Sequence, residues 1–266
     1  MSSKNGYWFL FHEHDLLIIE SKGITTIPTV FDIEKLKLIP LNSQPIGFLN
    51  NQECFVAEAA SKTLFEKFAW KNVRLLFDTM ESECFGMACR AFHILNWLRT
   101  SKFCGCCGTL MNMSREELAM ICSKCNHTVY PRISPAIIVA VTKGDKILLA
   151  RSSRFPPNRY SVIAGFVEPG ESLENCVQRE LKEEVGLNVH SIHYFGNQPW
   201  PFPDSLMIAF TAQSSTEEIK IDNQEIVEAG WFSADNLPDI PDKISVARKL
   251  IDWFVEKHAP GRLDNL

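Results

Sequence analysis

One stretch, residues 165–187, constrains the fold and chemistry of this chain more than any other. It has the pattern of a glycine-bounded loop followed by one short helix. Ser172 is placed to cap the start of this helix, and Gly186 is placed to end it in a left-handed conformation. At about 100° per residue, the apolar side chains form one stripe that is expected to pack on a core. The stripe consists of Leu173, Cys176, Val177, Leu181 and Val185.

Three glutamates occupy unusual positions on this helix. Glu180 and Glu184 fall inside the apolar stripe, and Glu183 falls at its edge. Carboxylates turned towards a core cost free energy unless something compensates them, because they repel one another or protonate. A divalent cation supplies the missing charge and takes oxygen ligands. The helix therefore predicts a metal site, and the alternative is a solvated acidic face held by i,i+4 ion pairs.

The spacing Gly-x5-Glu-x7-Arg-Glu-Leu-x-Glu-Glu-x-Gly-Leu resembles the Nudix box, and every fixed position is filled. These positions are Gly165, Glu171, Arg179, Glu180, Leu181, Glu183, Glu184, Gly186 and Leu187. The resemblance implies a hydrolase that cuts the pyrophosphate of a nucleoside diphosphate linked to another group, with Mg²⁺ or Mn²⁺ on the helix carboxylates. Because such a substrate and this chain are both acidic, cations are expected to bridge them, polarise a phosphorus–oxygen bond and activate water.

Composition narrows the remaining classes of protein. The 266 residues suffice for two domains, or for one domain with attachments. A formal net charge of −5 argues against a nucleic-acid binder that relies on a strong overall basic field, although a local basic patch stays possible. The chain has no apolar run of membrane-spanning length. Nine cysteines, four of them in two Cys-x-x-Cys pairs, fit a reducing compartment, and we expect a cytoplasmic protein.

Residues 1–98 are expected to form a small α+β domain that ends in a connecting helix over about residues 82–98. Short apolar runs indicate strands, the first two of which would form a hairpin: residues 7–11, 16–19 and 54–57. Residues 73–77 have the composition either of a further strand or of the lead-in to the helix. Nothing in this segment indicates chemistry.

Residues 99–131 carry two Cys-x-x-Cys knuckles, fourteen residues apart. Cys104, Cys107, Cys122 and Cys125 suit a closed, structural Zn²⁺ site with four thiolate ligands, and Cys106 is the spare thiol. The alternative is a set of reduced or redox-active thiols. Basic residues nearby are few and are partly cancelled by acidic ones, so a scaffold or dimerisation role is favoured over nucleic-acid binding.

Residues 132–266 are expected to form the catalytic domain, for which the resemblance implies a Nudix α/β/α sandwich with a mixed sheet. Apolar runs predict its strands: residues 136–141, 146–150, 160–167, 189–195 and 219–221. Apolar residues from Ile244 to Val255 predict an amphipathic closing helix. Three arginines are either solvated loop charges or phosphate contacts: Arg151, Arg154 and Arg159.

A proline-rich segment follows the strand predicted at residues 189–195. Prolines at positions 199, 201 and 203 forbid a helix and a regular central strand. Such a stiff, extended segment would present Trp200 and Phe202 to a planar ligand at a low entropic cost. The alternative is a kinked loop that fills the protein's own core.

The segment from Gln198 to Ser205 is similar to the Gln-Pro-Trp-Pro-Phe-Pro-x-Ser signature of the NADH pyrophosphatase, or NudC-like, branch of Nudix hydrolases. That branch also carries a four-cysteine zinc ribbon before its Nudix domain. Asn197 departs from the pattern, because a serine commonly precedes the glutamine. The resemblance implies a homodimer that hydrolyses NADH or NAD⁺ to nicotinamide mononucleotide and AMP, and an activity that extends to removing an NAD cap from RNA.

The resemblance also implies site residues. Glu180, Glu184 and Glu225 would be metal ligands together with the backbone carbonyl of Ala164, and Glu183 would share in metal binding or proton transfer. The substrate contacts, some of them from a second subunit, would be Arg74, Glu117, Tyr130, Phe166, Gln198, Pro199, Trp200, Pro201, Phe202, Pro203, Asp204, Ser205 and Ala247.

Two pairs of charged residues need separate interpretations: the role of one pair stays open, and the other pair is predicted to be structural. By spacing alone, Glu225 and Glu228 are equally well explained as an exposed acidic pair. A loop that curls over the helix would pair Glu171 with Arg179 and so orient the metal-binding carboxylates.

Two other functions compete with NAD(H) hydrolysis. One is RNA decapping as the main duty, and the other is a catalytically inactive zinc-ribbon module that senses a nucleotide. The intact set of helix glutamates argues against the inactive sensor.

Overall fold

The structure is a computed structural model that describes residues 6–63, 65–221 and 223–263. The outer ends of the predicted first and third domains, residues 1–5 and 264–266, lie outside the described residues, as does Asp222. The contacts divide the chain into two compact units. The first unit runs to Arg132 and includes Pro201–Asp204, and the second comprises Ile133–Trp200 and Ser205 onwards.

The first unit contains a six-stranded sheet in the order β3-β2-β1-β5-β4, with β6 paired to β2. Its strands are β1 Tyr7–His12, β2 Asp15–Ser21, β3 Ile24–Thr26, β4 Leu41–Leu49, β5 Gln52–Glu58 and β6 Phe68–Asn72. Its helices are α1 Val30–Lys35 and α2 Ser82–Thr100. The antiparallel pairing of β1 with β2 confirms the predicted hairpin, and α2 confirms the predicted connecting helix.

The segment after β6 is a short 3-10 helix, Val73–Leu76, so the strand interpretation of residues 73–77 is wrong. The Asn72 side chain accepts a hydrogen bond from the Arg74 backbone N–H at 3.0 Å, which caps the start of this turn. A small three-stranded sheet follows α2 in the cysteine-rich segment. Its strands are β7 Met111–Met113, β8 Met120–Cys122 and β9 Thr128–Val129.

The second unit is built on a mixed sheet in the order β13-β14-β10-β11-β15, with β12 paired to β10. Its strands are β10 Ser134–Lys143, β11 Lys146–Ser152, β12 Ile163–Phe166, β13 Val189–Trp200, β14 Ser205–Ser214 and β15 Ile226–Ser233. Its helices are α3 Leu173–Val185 and α4 Val246–His258. The pairing of β10 with β14 is parallel, and the other pairings in this sheet are antiparallel.

Alternating residues of β10 supply two separate cores. Ile137, Val139 and Val141 pack with α3 in what we call the α3-side cluster. Ile138 and Ala140 pack with α4 in the α4-side cluster. A strand buried on both faces carries continuous apolar sequence, and the resulting helix–sheet–helix layering confirms the predicted α/β/α sandwich with a mixed sheet.

Two predicted elements of this unit differ from the structure. Residues 219–221 are not a strand, because the Lys220 backbone N–H donates to the carbonyl of Val185 at the end of α3, at 2.9 Å. Ile219 and Ile221 pack instead on the α3-side cluster. Strand β13 runs further than predicted and includes Pro199. It forms the edge of the sheet, where a residue without an N–H is tolerated.

Among the described residues, the structure contains no helix both long and apolar enough to span a membrane.

Candidate active site

Helix α3 has the caps and the buried stripe that the sequence predicts. Ser172 accepts a hydrogen bond from the Asn175 backbone N–H at 3.2 Å, and Gly186 ends the helix with a left-handed φ of 72°. Cys176, Val177, Leu181 and Val185 are fully buried. These contacts fix the rotation of the helix about its axis, and this rotation decides where its glutamates lie.

The three helix glutamates differ in exposure. Glu184 is buried, at 7% exposure. The Glu180 side chain is 12% exposed, whereas that of Glu183 is 61% exposed. A solvated acidic face therefore does not describe Glu180 and Glu184.

The carboxylate of Glu225 lies close enough to Glu180 to affect its ionisation. Burial raises the pKa of Glu180, the hydrogen bond and charge of Arg179 oppose this rise, and the negative charges of Glu183 and Glu225 add to it. The fold thus brings a loop that precedes β15 to the carboxylates of α3. This proximity distinguishes Glu225 from a simple exposed pair with Glu228.

Arg179 organises the carboxylates beside it. Its Nε and Nη2 donate to the two oxygens of Glu171 at 2.8 and 2.9 Å, a bidentate geometry. Its Nη1 donates to Glu180 at 2.8 Å and to Glu183 at 3.1 Å, and Nη2 also donates to the carbonyl of Phe166 at 2.9 Å. Hydrogen bonding to Arg179 lowers the pKa of Glu171 to about 2. The predicted pair of Glu171 and Arg179 is therefore present.

Strand β12 places two further predicted residues beside α3. Ala164 pairs with Ile138 of β10 and is exposed, and Phe166 is 59% exposed. Gly165 lies between them, against the carboxylate of Glu180. The site therefore combines several carboxylates with the positive charge of Arg179 and an adjacent exposed aromatic ring. Its carboxylate oxygens and its unbalanced negative charge fit a divalent cation.

The four predicted zinc ligands come together in the cysteine-rich segment. The Sγ atoms of Cys104, Cys107, Cys122 and Cys125 all lie within 4.8 Å of one another. Hydrogen bonds with the hydroxyl and backbone N–H of Thr109 lower the pKa of Cys107 to about 6. The backbone N–H of His127 favours the thiolate of Cys125 and lowers the pKa of this thiol. Hydrogen bonds with Cys122 and Cys104 outweigh this effect and raise the pKa of Cys125 to about 12. Four thiolates this close need a cation to share, which fits a tetrahedral Zn²⁺ site.

The proline-rich segment divides between two structural roles. Pro199 and Trp200 end the edge strand β13, where Trp200 pairs with Ser205. The amide of Gln198 is used within the fold, because Nε2 donates to the Ile244 carbonyl at 2.7 Å and Oε1 accepts from the Val246 N–H at 2.6 Å.

Phe202 belongs to the first unit and fills part of it. Its ring lies 5.4 Å from that of Phe92, centroid to centroid, and the guanidinium of Arg74 lies 4.2 Å from its centroid. This arrangement supports the core-filling interpretation for Phe202, although an open pocket of about 280 Å³ remains beside it. The pocket is lined by His14, Asn72, Arg74, Phe92, Asn96, Phe202 and Pro203.

The other predicted contact residues lie in both units. In the first unit, the Tyr130 hydroxyl donates to Glu117 at 3.1 Å. In the second unit, Ala247 is buried in the α4-side cluster, at 6% exposure.

Two of the three arginines before β12 form ion pairs. Arg159 pairs with Asp242 at 3.0 Å, and Arg151 pairs with Glu228 at 2.5 Å. The hydroxyl of Tyr160 also donates to Glu228. Sequence reasoning missed the cluster of Arg151, Tyr160 and Glu228. The register of β11 with β15 sets Arg151 opposite Glu228.

Three family models match this chain. A NUDIX domain model matches residues 132–254, an NADH pyrophosphatase-like rudimentary NUDIX domain model matches residues 5–97, and an NADH pyrophosphatase zinc ribbon model matches residues 99–130. The relation of the N-terminal segment to a NUDIX domain was not foreseen from its sequence.

Similar proteins carry related names. A protein named NAD-capped RNA hydrolase NudC from Stutzerimonas stutzeri is 38% identical over 95% of this chain and 91% of its own length. A Pseudomonas aeruginosa protein of the same name is 40% identical over 96% of this chain and 91% of its own length. The crystal structure of a NUDIX hydrolase from Nitrosomonas europaea shares the fold, with a TM-score of 0.51 at 23% identity, over 59% of this chain and 92% of that one.

The fold and the acidic helix define a Nudix hydrolase. Within that class, the chain belongs to the NADH pyrophosphatase-like branch of the Nudix hydrolase family, as its sequence signatures predict.

Proposed function

We propose that this protein is a metal-dependent pyrophosphohydrolase that cleaves NADH or NAD⁺ to nicotinamide mononucleotide and AMP, and that it also removes NAD caps from RNA. One observation carries this proposal: Arg179 holds the carboxylates of Glu180 and Glu183 together on α3, and the charge of Glu225 acts on Glu180. The names of the similar proteins support a substrate that contains NAD.

In this proposal Glu180, Glu184 and Glu225 hold Mg²⁺ or Mn²⁺ together with the carbonyl of Ala164, and Glu183 shares in metal binding or takes up a proton. Bound divalent cations supply Lewis acidity and a lowered pKa for bound water. Arg179 keeps the Glu180 and Glu183 carboxylates together through its two hydrogen bonds from Nη1. Its contacts with Glu171 and the Phe166 carbonyl tie this arrangement to the loop between β12 and α3.

The exposed ring of Phe166 and the indole of Trp200 are the proposed stacking surfaces for the planar bases of the substrate. The remaining proposed contacts are Arg74, Glu117, Tyr130, Ala247 and the rest of the segment from Gln198 to Ser205. A homodimer would allow some of these contacts to come from the second subunit. The buried position of Ala247 and the internal hydrogen bonds of Gln198 favour backbone or supporting roles for these two residues.

Zinc would be structural, because Cys104, Cys107, Cys122 and Cys125 fill all four positions of a tetrahedral site.

We propose three domains at residues 1–98, 99–131 and 132–266, which follow the limits of the family matches closely. We also propose a reducing setting such as the cytoplasm, because four of the nine cysteines form two Cys-x-x-Cys pairs and the others are scattered.

Product analysis tests the proposal. Purified protein is incubated with NADH, NAD⁺, ADP-ribose, a dinucleoside polyphosphate and NAD-capped RNA, each with Mg²⁺ or Mn²⁺. We expect AMP and a nicotinamide mononucleotide from the free dinucleotides, and RNA with a 5′-monophosphate from the capped substrate. If NADH binds but these products form with neither Mg²⁺ nor Mn²⁺, the protein is instead a nucleotide sensor.

The second candidate, RNA decapping as the main duty, is favoured by the names of the relatives. Competition at equal concentrations separates the two functions. A higher kcat/KM for NAD-capped RNA than for NADH and NAD⁺ would identify decapping as the main activity, and the reverse order would identify hydrolysis of free dinucleotides.

A further inference from the structure

The start of β15 contains a β-bulge next to the candidate active site. Arg151 of β11 lies opposite Glu228, but the next residue, Ser152, lies opposite Ile226. Val227 is therefore the additional residue on the β15 side. Bulges bend a strand and re-aim its side chains, and they are over-represented next to active sites.

The bulge sends two nearby side chains to opposite faces of the sheet. Ile226 packs in the α3-side cluster. Glu228 accepts a hydrogen bond from Tyr160, whose ring packs in the α4-side cluster. In a regular strand, residues two positions apart share one face. The bulge therefore places Glu228 on the face of the sheet away from α3.

Glu228 is held firmly on that face. The Arg151 Nη2 donates to one oxygen of Glu228 at 2.5 Å, and the Tyr160 hydroxyl donates to the other. These hydrogen bonds lower the pKa of Glu228. The Arg151 side chain is only 17% exposed, and the ring of Tyr160 packs edge-on against Phe232 at 5.4 Å between centroids. Charge-assisted hydrogen bonds to half-buried groups give the anchor a defined geometry.

Glu225 immediately precedes β15 and lies two residues before the bulged Val227. Its backbone carbonyl accepts a hydrogen bond from the Ser153 N–H at 2.9 Å. The short segment from Glu225 to Glu228 is thus tied to the end of β11 at both of its ends. The negative charge of Glu225 acts on Glu180 of α3. Since both ends of the segment are tied to β11, its path sets the position of the Glu225 backbone.

We propose that Glu228, together with Arg151 and Tyr160, is a positioning residue that sets Glu225 against α3 for cation binding, and that Glu228 is not itself a metal ligand. The inference rests on the proposed function, in which Glu225 holds a cation. It assigns a role to Glu228, which spacing alone explains equally well as an exposed acidic pair with Glu225.

Direct Mn²⁺ binding tests this proposal without relying on turnover. Free Mn²⁺ is measured by electron paramagnetic resonance while the full-length protein is titrated, for the wild type and for Glu225→Gln, Glu228→Gln and Tyr160→Phe. The matched control is Glu217→Gln, which removes an ion pair with Lys146, 3.6 Å away at the other end of β11. Thermal unfolding without added Mn²⁺ verifies that each variant folds.

We expect Glu228→Gln to weaken Mn²⁺ binding about three- to tenfold, below the 10–100-fold typical of groups that touch a metal ligand directly. Tyr160→Phe should act in the same direction with a smaller effect, and Glu217→Gln should bind as the wild type does. Saturating Mn²⁺ should restore kcat in Glu228→Gln but not in Glu225→Gln, since only the latter loses a ligand.

Two outcomes overturn the inference and differ from each other. Weaker Mn²⁺ binding by Glu225→Gln with unchanged binding by folded Glu228→Gln would leave the proposed function intact but give Glu228 a purely structural role. Unchanged binding by Glu225→Gln would remove Glu225 from the cation site, and the positioning role of Glu228 with it.

Discussion

The carboxylate of Glu180 occupies the space that a side chain on Gly165 would need. A Cβ atom on Gly165 would lie 2.0 Å from Cδ and 2.1 Å from Oε1 of Glu180. These separations are far below van der Waals contact. The first glycine of the Nudix-box pattern therefore permits the close approach of β12 to the acidic face of α3.

Gly165→Ala should displace the Glu180 carboxylate and lower kcat/KM for NADH by about 100-fold, the scale of effect expected for a displacement of about 1 Å at a catalytic site. Direct Mn²⁺ binding should weaken in parallel. The control is Gly196→Ala, because a Cβ at that glycine would meet no atom within 4 Å. Equal activity in the two alanine variants would show that Glu180 is not needed at its observed position.

Glu184→Gln should abolish hydrolysis and leave the fold intact. The substitution keeps the shape of a side chain that is only 7% exposed but removes its charge, so we expect kcat to fall by at least about 100-fold. Circular dichroism and thermal unfolding would verify the fold. Glu174→Gln on the exposed side of the same helix is the matched control and should keep full activity. A fully active Glu184→Gln enzyme would contradict the catalytic assignment.

Zinc content should distinguish Cys107 from the neighbouring Cys106. Cys107 lies in the four-thiol cluster, whereas Cys106 is exposed and outside it. Cys107→Ser should lose bound zinc and lower the melting temperature, because metal binding contributes to folding such small segments. Cys106→Ser should retain one zinc per chain by elemental analysis. Zinc lost from Cys106→Ser and kept by Cys107→Ser would reverse the ligand assignment.

The pair of Glu171 and Arg179 should make stability depend on pH in the acidic range. The hydrogen bond that Arg179 donates to Glu171 lowers the pKa of the Glu171 carboxyl from an ordinary value of 4.5 to about 2. A carboxyl whose pKa is lower in the folded state stabilises the protein fully above its unfolded pKa, and this contribution disappears as the pH falls through the folded pKa. The melting temperature of Glu171→Gln should therefore lie below that of the wild type at neutral pH. This difference should shrink as the pH falls from about 4.5 towards 2, and a difference independent of pH would refute the ionic role.

Gln198→Ala should destabilise the second unit. The amide of Gln198 bridges the Ile244 carbonyl and the Val246 N–H, immediately before and at the start of α4. Leaving these partly buried groups unpaired should cost about 1–3 kcal/mol in the free energy of unfolding, measured with urea. Asn197→Ala, at the adjacent exposed position, is the control and should cost less. A large rise in KM without a loss of stability would instead indicate that Gln198 contacts substrate.

Local pattern was sufficient to predict the main parts of the molecule. The caps, stripe and glutamates of α3, the continuous apolar run of β10 and the four clustered cysteines all depend on spacing within one short segment. Such spacing directly reports which face of an element is buried. The prolines correctly excluded a helix in the proline-rich segment. The prediction of a continuously extended segment was wrong, because β13 ends at Trp200 and residues 201–204 form a turn into β14.

Spacing did not reveal where distant segments meet. Residues 219–221 have the composition of a strand, yet the Lys220 N–H pairs with the end of α3. Spacing also gave no sign that the ring of Phe202, a predicted ligand contact, lies beside Phe92 and next to the guanidinium of Arg74. The partners of Arg151 became clear only from the register of β11 with β15.

By itself, the sequence determined the class of fold, the acidic helix and the cysteine cluster, because each depends on local periodicity or on a short motif. The family resemblance already grouped Glu225 with Glu180, but only the tertiary structure decided that Glu228 lies on the face of the sheet away from α3. A single additional residue, Val227, puts Ile226 and Glu228 on opposite faces of the sheet, and a bulge exists only where one strand is paired with another.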